Sequence, residues 1–368
     1  MDNKRFWVGF SLVKGIGAVR LRALLSFFGD IANAWQAPSD ALRTAGLSSK
    51  LIERLIQIRE DVDLDHLMAQ FAAQEISVLT WDDDEYPKRL NEIDQPPPVI
   101  YIRGLLMPED CWSVAIVGTR RVTAYGRQIA DELASHLAQN GITVISGLAR
   151  GVDAIAHQAA IRAGGRTLAV LGCGVERIYP PENKNLAAQI IQNGALISDY
   201  PPGTPPDASN FPPRNRIIAG LSMATVVIEA GESSGALITA QFALDQGREV
   251  FAVPGNILAP QSKGTNRLIF EGARPLLSAR DILEVLNLTR VTEHRAVRKI
   301  LPGDLFEEQI LSVLNYEPLH VDEIRNQTGL SIERVSATLV MMELKGMVKQ
   351  VGGLNYVAVR EEQSEYHV

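Results

Sequence analysis

The chain has 368 residues, of which 46% are hydrophobic and 21% are charged, and a formal net charge of −7. This length is sufficient for two or three domains with a large core, and the composition is that of a soluble globular protein. The acidic balance argues against a protein that binds nucleic acid over its whole surface. No apolar run is long enough to span a bilayer.

The N-terminus, the cysteines and the charge distribution indicate where in the cell the protein acts and which part of the sequence binds a polyanion. The first residues lack the apolar segment of a signal peptide. Cys111 and Cys173 have no metal-ligand spacing, so we interpret both as reduced packing residues of a cytoplasmic protein. Residues 111–290 carry sixteen basic and fourteen acidic side chains and are the net basic part of the sequence. A polyanion site is therefore expected there, as a local patch.

Residues 1–74 are predicted to form a helical domain of the helix-hairpin-helix type. Gly15-Ile16-Gly17 leads into a helix with apolar spacing, and a weaker copy follows around Gly46. A Gly-x-Gly turn can present backbone N–H groups to a phosphate without reading base sequence. Such domains also occur purely as packing or contact modules, and the sequence leaves both roles open.

Residues 75–290 are predicted to form an α/β core with a Rossmann-like, mostly parallel sheet. Strand patterns at 75–81 and 99–103 precede a regular alternation of apolar runs and helical spacing. The strands predicted in that alternation are 113–117, 142–146, 167–171, 195–198, 223–228 and 249–252. The helices predicted between and after them are 125–140, 152–163, 182–193, 213–220, 234–247 and 264–271. Ligands of such sheets bind outside the carboxyl ends of the strands.

The C-terminal part is predicted to be a winged helix. Residues 291–302 are polar and of mixed charge, which predicts a linker. The winged-helix domain is expected over 303–360, with three helices at 304–316, 321–328 and 331–345 and two strands within 347–359. Its third helix is neutral and the domain is net acidic, so base-specific reading of a duplex is disfavoured. A protein-interaction module or a weak non-specific contact fits better.

Five loops are expected to meet at the carboxyl edge of the sheet, and the first three are rich in glycine and cations. The turn after the first parallel strand lacks the G-x-G-x-x-G of a dinucleotide site and ends in two arginines, which suits a phosphodiester chain. Asp153 is expected to cap the helix that follows the second loop, and His157 to be a packing or helix-surface residue. The candidate binding residues of these loops are Gly118, Thr119, Arg120, Arg121, Ser146, Gly147, Arg150, Gly151 and Lys184.

The fourth loop combines an aromatic ring with cations. Phe211 lies between an asparagine and two prolines, and Arg214 and Arg216 follow in the predicted first turn of a helix. Cations there oppose the helix dipole unless an anion binds, and a ring beside two arginines suits single-stranded nucleic acid. The alternative is that both arginines pair with core carboxylates. The candidate residues of the last loops are Asn210, Phe211, Arg214, Asn215, Arg216, Ser233, Ser234, Gly235 and Lys263.

The sequence contains no recognisable catalytic set. It lacks a G-x-S-x-G elbow, an H-E-x-x-H pair and a Walker G-x-x-x-x-G-K-[ST] loop. Asp153, Glu176 and Glu229 lie near the loops but are not joined by a plausible base. We therefore expect a binding protein without enzymatic activity, metal or cofactor.

An ordered set of motifs resembles the DNA-processing protein A family (DprA, also called Smf). The motifs span about residues 115–275, and the helical N-terminus and winged helix match domains that flank the core in many members. In order, they are Ile-Val-Gly-Thr-Arg, Thr-Ala-Tyr-Gly, Ser-Gly-Leu-Ala-Arg-Gly-Val-Asp, Tyr-Pro-Pro-Glu-Asn, Phe-Pro-x-Arg-Asn-Arg, Ser-Gly-Ala-Leu-Ile-Thr-Ala, Val-Phe-Ala-Val-Pro-Gly and Gly-Thr-Asn.

This resemblance implies a core that binds single-stranded DNA non-specifically, forms a homodimer and loads the recombinase RecA onto incoming strands in natural transformation. It implies DNA contact by Arg120 and a groove lined by Phe211, Arg214 and Arg216, and less firmly contacts by Lys184 and Lys263. The surfaces for RecA and for the dimer are not assigned. Replacing Arg120 and Arg214 together is expected to weaken binding while leaving the fold intact.

Three other functions remain to be weighed. A nucleoside-monophosphate phosphoribohydrolase on a related fold carries Pro-Gly-Gly-x-Gly-Thr-x-x-Glu, and the nearest stretch, 230–237, lacks the proline and the Thr-x-x-Glu. A dinucleotide-dependent enzyme needs an acidic residue at the end of the second strand, which here ends Ser146-Gly147. An adaptor whose core does not bind DNA is the third.

Overall fold

The computed structural model describes residues 3–286, 305–314, 319–344, 348–351 and 353–358. The chain divides into two compact units, Met1–Leu286 and Asn287–Val368. The predicted linker at 291–302 lies outside the described residues. In the parts of the chain that are described, no helix combines the length and apolarity needed to cross a membrane.

The first unit contains fourteen described α-helices and nine strands. The helices are α1 Lys4–Leu12, α2 Ala18–Phe28, α3 Ile31–Gln36, α4 Ser39–Thr44, α5 Ser49–Asp61, α6 Leu64–Ala73, α7 Lys88–Asn91, α8 Ala124–Gln139, α9 Val152–Arg162, α10 Lys184–Asn193, α11 Phe211–Leu221, α12 Gly235–Asp245, α13 Lys263–Phe270 and α14 Ala279–Val285. The strands are β1 Ile76–Thr80, β2 Val99–Gly104, β3 Ser113–Val117, β4 Thr143–Ser146, β5 Thr167–Val170, β6 Gly194–Ser198, β7 Ala224–Val227, β8 Glu249–Ala252 and β9 Arg274–Pro275.

All nine strands belong to one sheet in the order β1-β2-β6-β5-β4-β3-β7-β8-β9. The seven strands β3–β9 pair in parallel, whereas β2 pairs antiparallel with both β1 and β6. The chain runs outward from β3 through β4 and β5 to β6, then returns to the other side of β3 with β7. This reversal opens a crevice at the carboxyl ends of the strands around β3.

Helices cover both faces of the sheet, as the apolar strands predict. Leu168 and Val170 of β5 join a core cluster with Ile217 and Ile218 of α11. Ala169, between them, joins the cluster on the opposite face that includes Leu186 and Ile190 of α10. Successive residues of a strand point to opposite faces. The fold is therefore the predicted α/β, mostly parallel Rossmann-like core.

The N-terminal helices pack on the sheet rather than standing apart from it. Val78, Val99 and Tyr101 share one buried cluster with residues of α1–α6. Tyr101 is completely buried, and its hydroxyl lies 2.6 Å from that of Ser11. The boundary at 74/75 stays a prediction, and the helices before it share a core with β1 and β2.

The second unit has the described elements of a winged helix. They are α15 Leu305–Val313, β10 Leu319–His320, α16 Val321–Thr328, α17 Ile332–Leu344, β11 Val348–Gln350 and β12 Asn355–Ala358. Its antiparallel sheet has the order β10-β12-β11. Ile324, Leu339 and Tyr356 are buried in a common core. The short strand β10 was not predicted.

Candidate nucleic-acid interface

A cleft of 650 Å³ opens at the carboxyl ends of the central strands. Residues from all five predicted loops line it: Gly118–Arg121 after β3, Ala149 after β4, Tyr179 after β5, Phe211 at the start of α11, and Gly231, Ser233, Ser234 and Gly235 after β7. A connected pocket beside it is lined by Arg150 and Gly147 together with Arg120 and Arg214. The loops therefore meet where the strand order predicts.

The first loop presents two exposed cations. Thr119 is fixed on both sides, since its N–H donates to the Glu229 carbonyl at 2.7 Å and its carbonyl accepts from the Val152 N–H at 3.3 Å. The side chains of Arg120 and Arg121 are exposed, and neither forms an ion pair with any residue of the described chain. The fixed turn therefore holds two unneutralised charges at the mouth of the cleft.

Arg214 lies deeper, with 5% of its surface exposed. Its Nη1 donates to the carbonyl of Gly147 at 2.9 Å and to that of Val170, and its Nε donates to Oδ1 of Asn215 at 3.3 Å. Its Nη2 has no hydrogen-bond partner within the described residues. Burial lowers the pKa of the guanidinium, the charge of Asp153 opposes this, and the charge of Arg120 adds to it. An anion in the cleft would relieve the repulsion between the two arginines.

Aromatic rings form a stacking surface above Arg214. The rings of Tyr179 and Phe211 stack with centroids 5.6 Å apart and an interplanar angle of 28°. The Arg214 guanidinium carbon lies 5.9 Å from the Phe211 centroid. A Cβ at residue 172 would lie 2.9 Å from the Phe211 ring, so Gly172 lets the ring approach the loop. Tyr179 is 41% exposed and offers its ring to a ligand.

The second loop is organised by a buried carboxylate and does not follow the prediction for Asp153. Asp153 does not cap α9, because its Oδ2 accepts from the N–H groups of Gly147 and Ala149 at 3.1 and 3.3 Å. Burial raises its pKa, and the charge of Arg214 opposes the rise. Ser146 is fully buried and donates to the Ile116 carbonyl at 2.6 Å, so it holds the strand end rather than facing the cleft.

The glycines of the second loop serve close packing within the protein. A Cβ at Gly147 would lie 2.7 Å from Nη2 of Arg214. In the first loop, a Cβ at Gly118 would lie 2.6 Å from Val152 of α9. Gly151 has φ +76°, and a Cβ there would lie 2.4 Å from the Thr119 carbonyl oxygen. These glycines let the loops and Arg214 approach one another, and their role as points of ligand approach stays a prediction.

The fifth loop closes the cleft with small polar groups. Ser234 caps α12 by accepting from the Ala236 N–H at 3.3 Å. Nδ2 of Asn215 donates to the Gly235 carbonyl at 3.3 Å and ties α11 to this loop. Ser233, Ser234 and Gly235 all line the cleft. The N-terminus of α12 thus adds N–H groups and a favourable dipole for an anion.

Four of the predicted cations lie elsewhere or already have partners. Arg216 pairs with Asp199 at 2.7 Å in the second turn of α11 and lines a separate 200 Å³ cavity, which corrects its assignment beside Arg214. Arg150 forms an ion pair with Glu182 at the margin of the cleft. Lys263 lies 3.8 Å from Glu232, and Lys184 is exposed on α10 outside the cleft lining. The helical period separates residues 214 and 216 onto different sides.

Asn210 and His157 form hydrogen bonds within the protein. Asn210 precedes α11, and its carbonyl accepts from the Tyr200 hydroxyl at 3.3 Å. His157 is completely buried, with Nδ1 2.6 Å from the Thr167 hydroxyl, which confirms its packing role. Cys173 is buried as predicted, whereas Cys111 is exposed and not a packing residue.

Tyr179 is the main cleft residue that sequence reasoning missed. It lies in the Tyr-Pro-Pro-Glu-Asn motif of the loop after β5, where it follows a Gly-rich turn and precedes two prolines. That pattern places a ring at a strand end but does not say that it stacks on Phe211, which is 32 positions later in the chain. Of the described residues that line the cleft, Asp153 is the only carboxylate, and no described group of His, Cys, Asp and Glu is arranged to hold a metal ion.

Comparison with known proteins places this architecture in a family. The sequence model of the family described as DNA recombination-mediator protein A matches residues 77–287, more than half of the chain. The chain belongs to the DNA recombination-mediator protein A (DprA/Smf) family. The model for the DprA winged-helix domain matches residues 296–353, in agreement with the second unit of the fold.

Full-length relatives and solved structures agree with this family membership. Protein Smf of Synechocystis sp. is 37% identical over 392 aligned positions, covering 96% of this chain and 98% of that protein. Protein Smf of Escherichia coli is 34% identical, with 93% and 95% covered. The X-ray structure of DNA processing protein A from Streptococcus pneumoniae superposes with a TM-score of 0.68 and 33% identity, covering 76% of this chain and 97% of that one. A structure of the Helicobacter pylori protein, described for its single-stranded DNA binding mode, gives a TM-score of 0.53 and 30% identity, covering 58% and 97%.

Proposed function

We propose that the chain binds single-stranded DNA, without base preference, in the cleft at the carboxyl ends of the strands. The observation that carries this is the Tyr179–Phe211 stack beside Arg120 and Arg121, whose charges have no carboxylate partner in the described chain. Stacked rings bind the faces of any base and arginines neutralise the phosphates, so the combination favours single strands. The single-stranded DNA binding described for the Helicobacter pylori relative supports the proposal.

The chemistry of the cleft supports binding rather than turnover. Asp153 is buried and already accepts two backbone N–H groups, so it is poorly placed to act as a base. The arginines provide positive charge without a proton acceptor near neutral pH. We therefore propose a protein with no catalytic activity of its own, which holds the strand and protects it.

We further propose that the chain passes the bound strand to a recombinase of the RecA type in the cytoplasm, during uptake or repair of DNA. The description of its family as a recombination mediator supports this role. The test is to measure strand-dependent ATP hydrolysis by the recombinase on DNA coated with a single-strand-binding protein. Addition of this chain should shorten the lag, and an unchanged lag would count against the proposal.

A homodimer is the proposed assembly, and one surface is suited to it. The short strand β9 forms one edge of the sheet in the described part of the chain. Phe270 and Leu277, on either side of β9, are 91% and 80% exposed. Apolar side chains along an open sheet edge favour association with a second copy of the same surface.

The DNA-binding proposal is tested by fluorescence anisotropy with a labelled single strand of about 20 nucleotides, at several salt concentrations and with duplex competitor. We expect tight binding. The logarithm of the binding constant should fall linearly with the logarithm of the salt concentration, with a slope of about −0.7 for each phosphate that is neutralised. Duplex should compete weakly. Absence of binding even at low salt would overturn the proposal.

A further inference from the structure

We propose that Lys14, Arg20 and Arg54 form a second contact surface for the phosphodiester backbone of the strand that leaves the cleft. These three residues are called the hairpin surface below. The inference rests on the proposed function and extends it, because it assigns the helical region to the path of the same strand. It also gives the Gly15-Ile16-Gly17 turn a role besides packing.

Two arginines from two helices bind the turn that carries Lys14. Nη1 of Arg20, from α2, donates to the Gly15 carbonyl at 2.6 Å. Nη1 of Arg54, from α5, donates to the Lys14 carbonyl at 2.8 Å. All three side chains are exposed. Each guanidinium is therefore anchored at one nitrogen by a neutral carbonyl and keeps its charge and its other donors available.

These charges lack ion-pair partners among the described residues, in contrast to other cations nearby. Lys4, Arg5 and Arg43 of the same helical region each form an ion pair with an aspartate. The three residues of the hairpin surface form none with any described residue. Arg20 also lies in the first turn of α2, a helix without a single acidic residue. A cation at that end opposes the helix dipole, and a bound phosphate would reverse the penalty.

The hairpin surface lies beside the rim of the cleft. Pro206 and Ala208 line the cleft, and Asp207 lies between them. The pKa of Asp207 is lowered by hydrogen bonds from the hydroxyl and N–H of Ser209, and in addition by the charge of Lys14. Ile16 and Gly17, which follow Lys14, line one cavity together with Asp199 and Arg216. The turn that carries Lys14 therefore lies against the segment that leads from β6 to α11 and includes this part of the rim. The carboxylate of Asp207 alone does not balance three cations.

Contacts of this kind read no bases. Carbonyl-anchored guanidiniums, a lysine and backbone N–H groups at a turn recognise phosphates by charge and hydrogen bonding. The surface would thus extend the length of strand that is held without adding sequence preference. It would contribute to affinity only when the strand is long enough to reach from the cleft to the hairpin.

The test compares two oligonucleotide lengths with the full-length chain and the variant Lys14→Gln/Arg20→Gln/Arg54→Gln. Glutamine removes each charge but keeps an N–H donor for the turn. The matched control is Arg43→Gln, which removes an exposed arginine of the same region that pairs with Asp40. Anisotropy is measured across salt with single strands of about 6 and about 20 nucleotides, and circular dichroism checks the fold.

We expect the variant to match the native chain on the short strand. On the long strand its log–log salt slope should be shallower by about 2, because three phosphate contacts each contribute about 0.7. Equal slopes on the long strand, or an equal loss on both lengths, would overturn the hairpin surface while leaving the cleft in place. If the native chain binds neither strand, the proposed function itself fails, and this inference with it.

Discussion

Arg120 and Arg214 bring their guanidinium groups to the same cleft but depend on the protein in different ways. Arg214 is buried and donates to two backbone carbonyls and to Asn215, so it is part of the structure that shapes the cleft. Arg120 is exposed and has no ion pair in the described chain. Their contributions to DNA binding and to stability should therefore separate.

Arg120→Gln should weaken single-strand binding and lower the log–log salt slope by about 0.7, because one phosphate contact is lost. The thermal midpoint should stay within about 1 °C of that of the native chain, since the side chain is exposed and surface changes have small effects. Salt-dependent anisotropy and thermal denaturation measure the two quantities. Arg162→Gln, in the last turn of α9 at the opposite edge of the sheet, is the control and should leave the slope unchanged. If Arg120→Gln has the same salt slope as the native chain, Arg120 does not contact a phosphate of the bound strand.

Arg214→Ala should lower the free energy of unfolding by about 2–4 kcal/mol, because buried carbonyls and Asp153 lose a charged partner. The burial of Arg214 argues against the expectation that replacing Arg120 and Arg214 together leaves the fold intact. Urea denaturation measures the loss, and Asn215→Ala, next in the chain and less buried, should cost under about 1 kcal/mol. An Arg214→Ala protein as stable as the native chain would show that the guanidinium is not structural.

The position of a cation in the sequence does not reveal its depth in the fold. The sequence places Arg214 and Arg216 together in a basic, aromatic loop. The structure turns the first toward Gly147 and Val170 and pairs the second with Asp199. The two arginines differ because their hydrogen-bond partners are 17 to 67 positions away in the sequence. A local sequence pattern does not contain such partners.

Regular elements were predictable because each has a local signal. The strands β3 and β8 begin and end at the predicted residues, β2, β4, β5 and β6 differ by one residue at one end, and β1 and β7 differ by one residue at each end. Their apolar, β-branched runs are unambiguous in a parallel sheet. The helices α7 and α14 and the strand β9 were not predicted, because short elements are defined by tertiary contacts rather than by periodicity.

His157 joins α9 to β5 and makes this pairing sensitive to acid. Burial, with a smaller contribution from the charge of Arg214, lowers its pKa from 6.5 to about 3. Between these values the unfolded chain binds a proton that the folded chain does not. The contribution of neutral His157 to the free energy of unfolding is therefore complete above about pH 6.5. It is lost as the pH falls, by up to about 1.4 kcal/mol per pH unit.

His157→Asn removes this titration while keeping an amide near the Thr167 hydroxyl. The variant should be less stable than the native chain near neutral pH, and the difference should shrink between about pH 6.5 and about pH 4.5. Urea denaturation across that range measures it, with His66→Asn, an exposed histidine of α6, as control. A difference that stays constant with pH would contradict the buried, neutral state of His157.

At the scale of the whole molecule, the cleft and the winged helix belong to different units. Every residue that lines the cleft lies within Met1–Leu286. In the second unit, α17 exposes Val340 and Met341, each by 52%, which suits a protein partner better than a phosphate backbone. The two units should therefore contribute unequally to DNA affinity.

A chain that ends at Leu286 should bind single strands within about threefold of the full-length affinity, equivalent to about 0.6 kcal/mol. Anisotropy measures the affinity, and circular dichroism confirms that the shortened chain is folded. A loss of binding in a folded protein would mean that the winged helix contributes more than its net acidic sequence indicates.

Phe270→Glu and Leu277→Glu should convert the proposed homodimer into monomers, because a buried unpaired charge is strongly unfavourable in an apolar interface. Sedimentation velocity measures the mass. Leu105→Glu replaces a residue that is 63% exposed beyond the end of β2 and should leave the assembly unchanged. A dimer that persists in both edge variants would place the interface elsewhere.

The core shared by α1–α6 and the outer strands limits how this protein can be shortened in evolution. Val78, Val99 and Tyr101 point from β1 and β2 into the cluster of the N-terminal helices. Exposing each to water would cost about 1.5–3 kcal/mol. Loss of the first helices alone is therefore not a neutral step. A relative that lacks these helices would need polar side chains at the three positions. Polar residues there would therefore indicate that the helices have been lost.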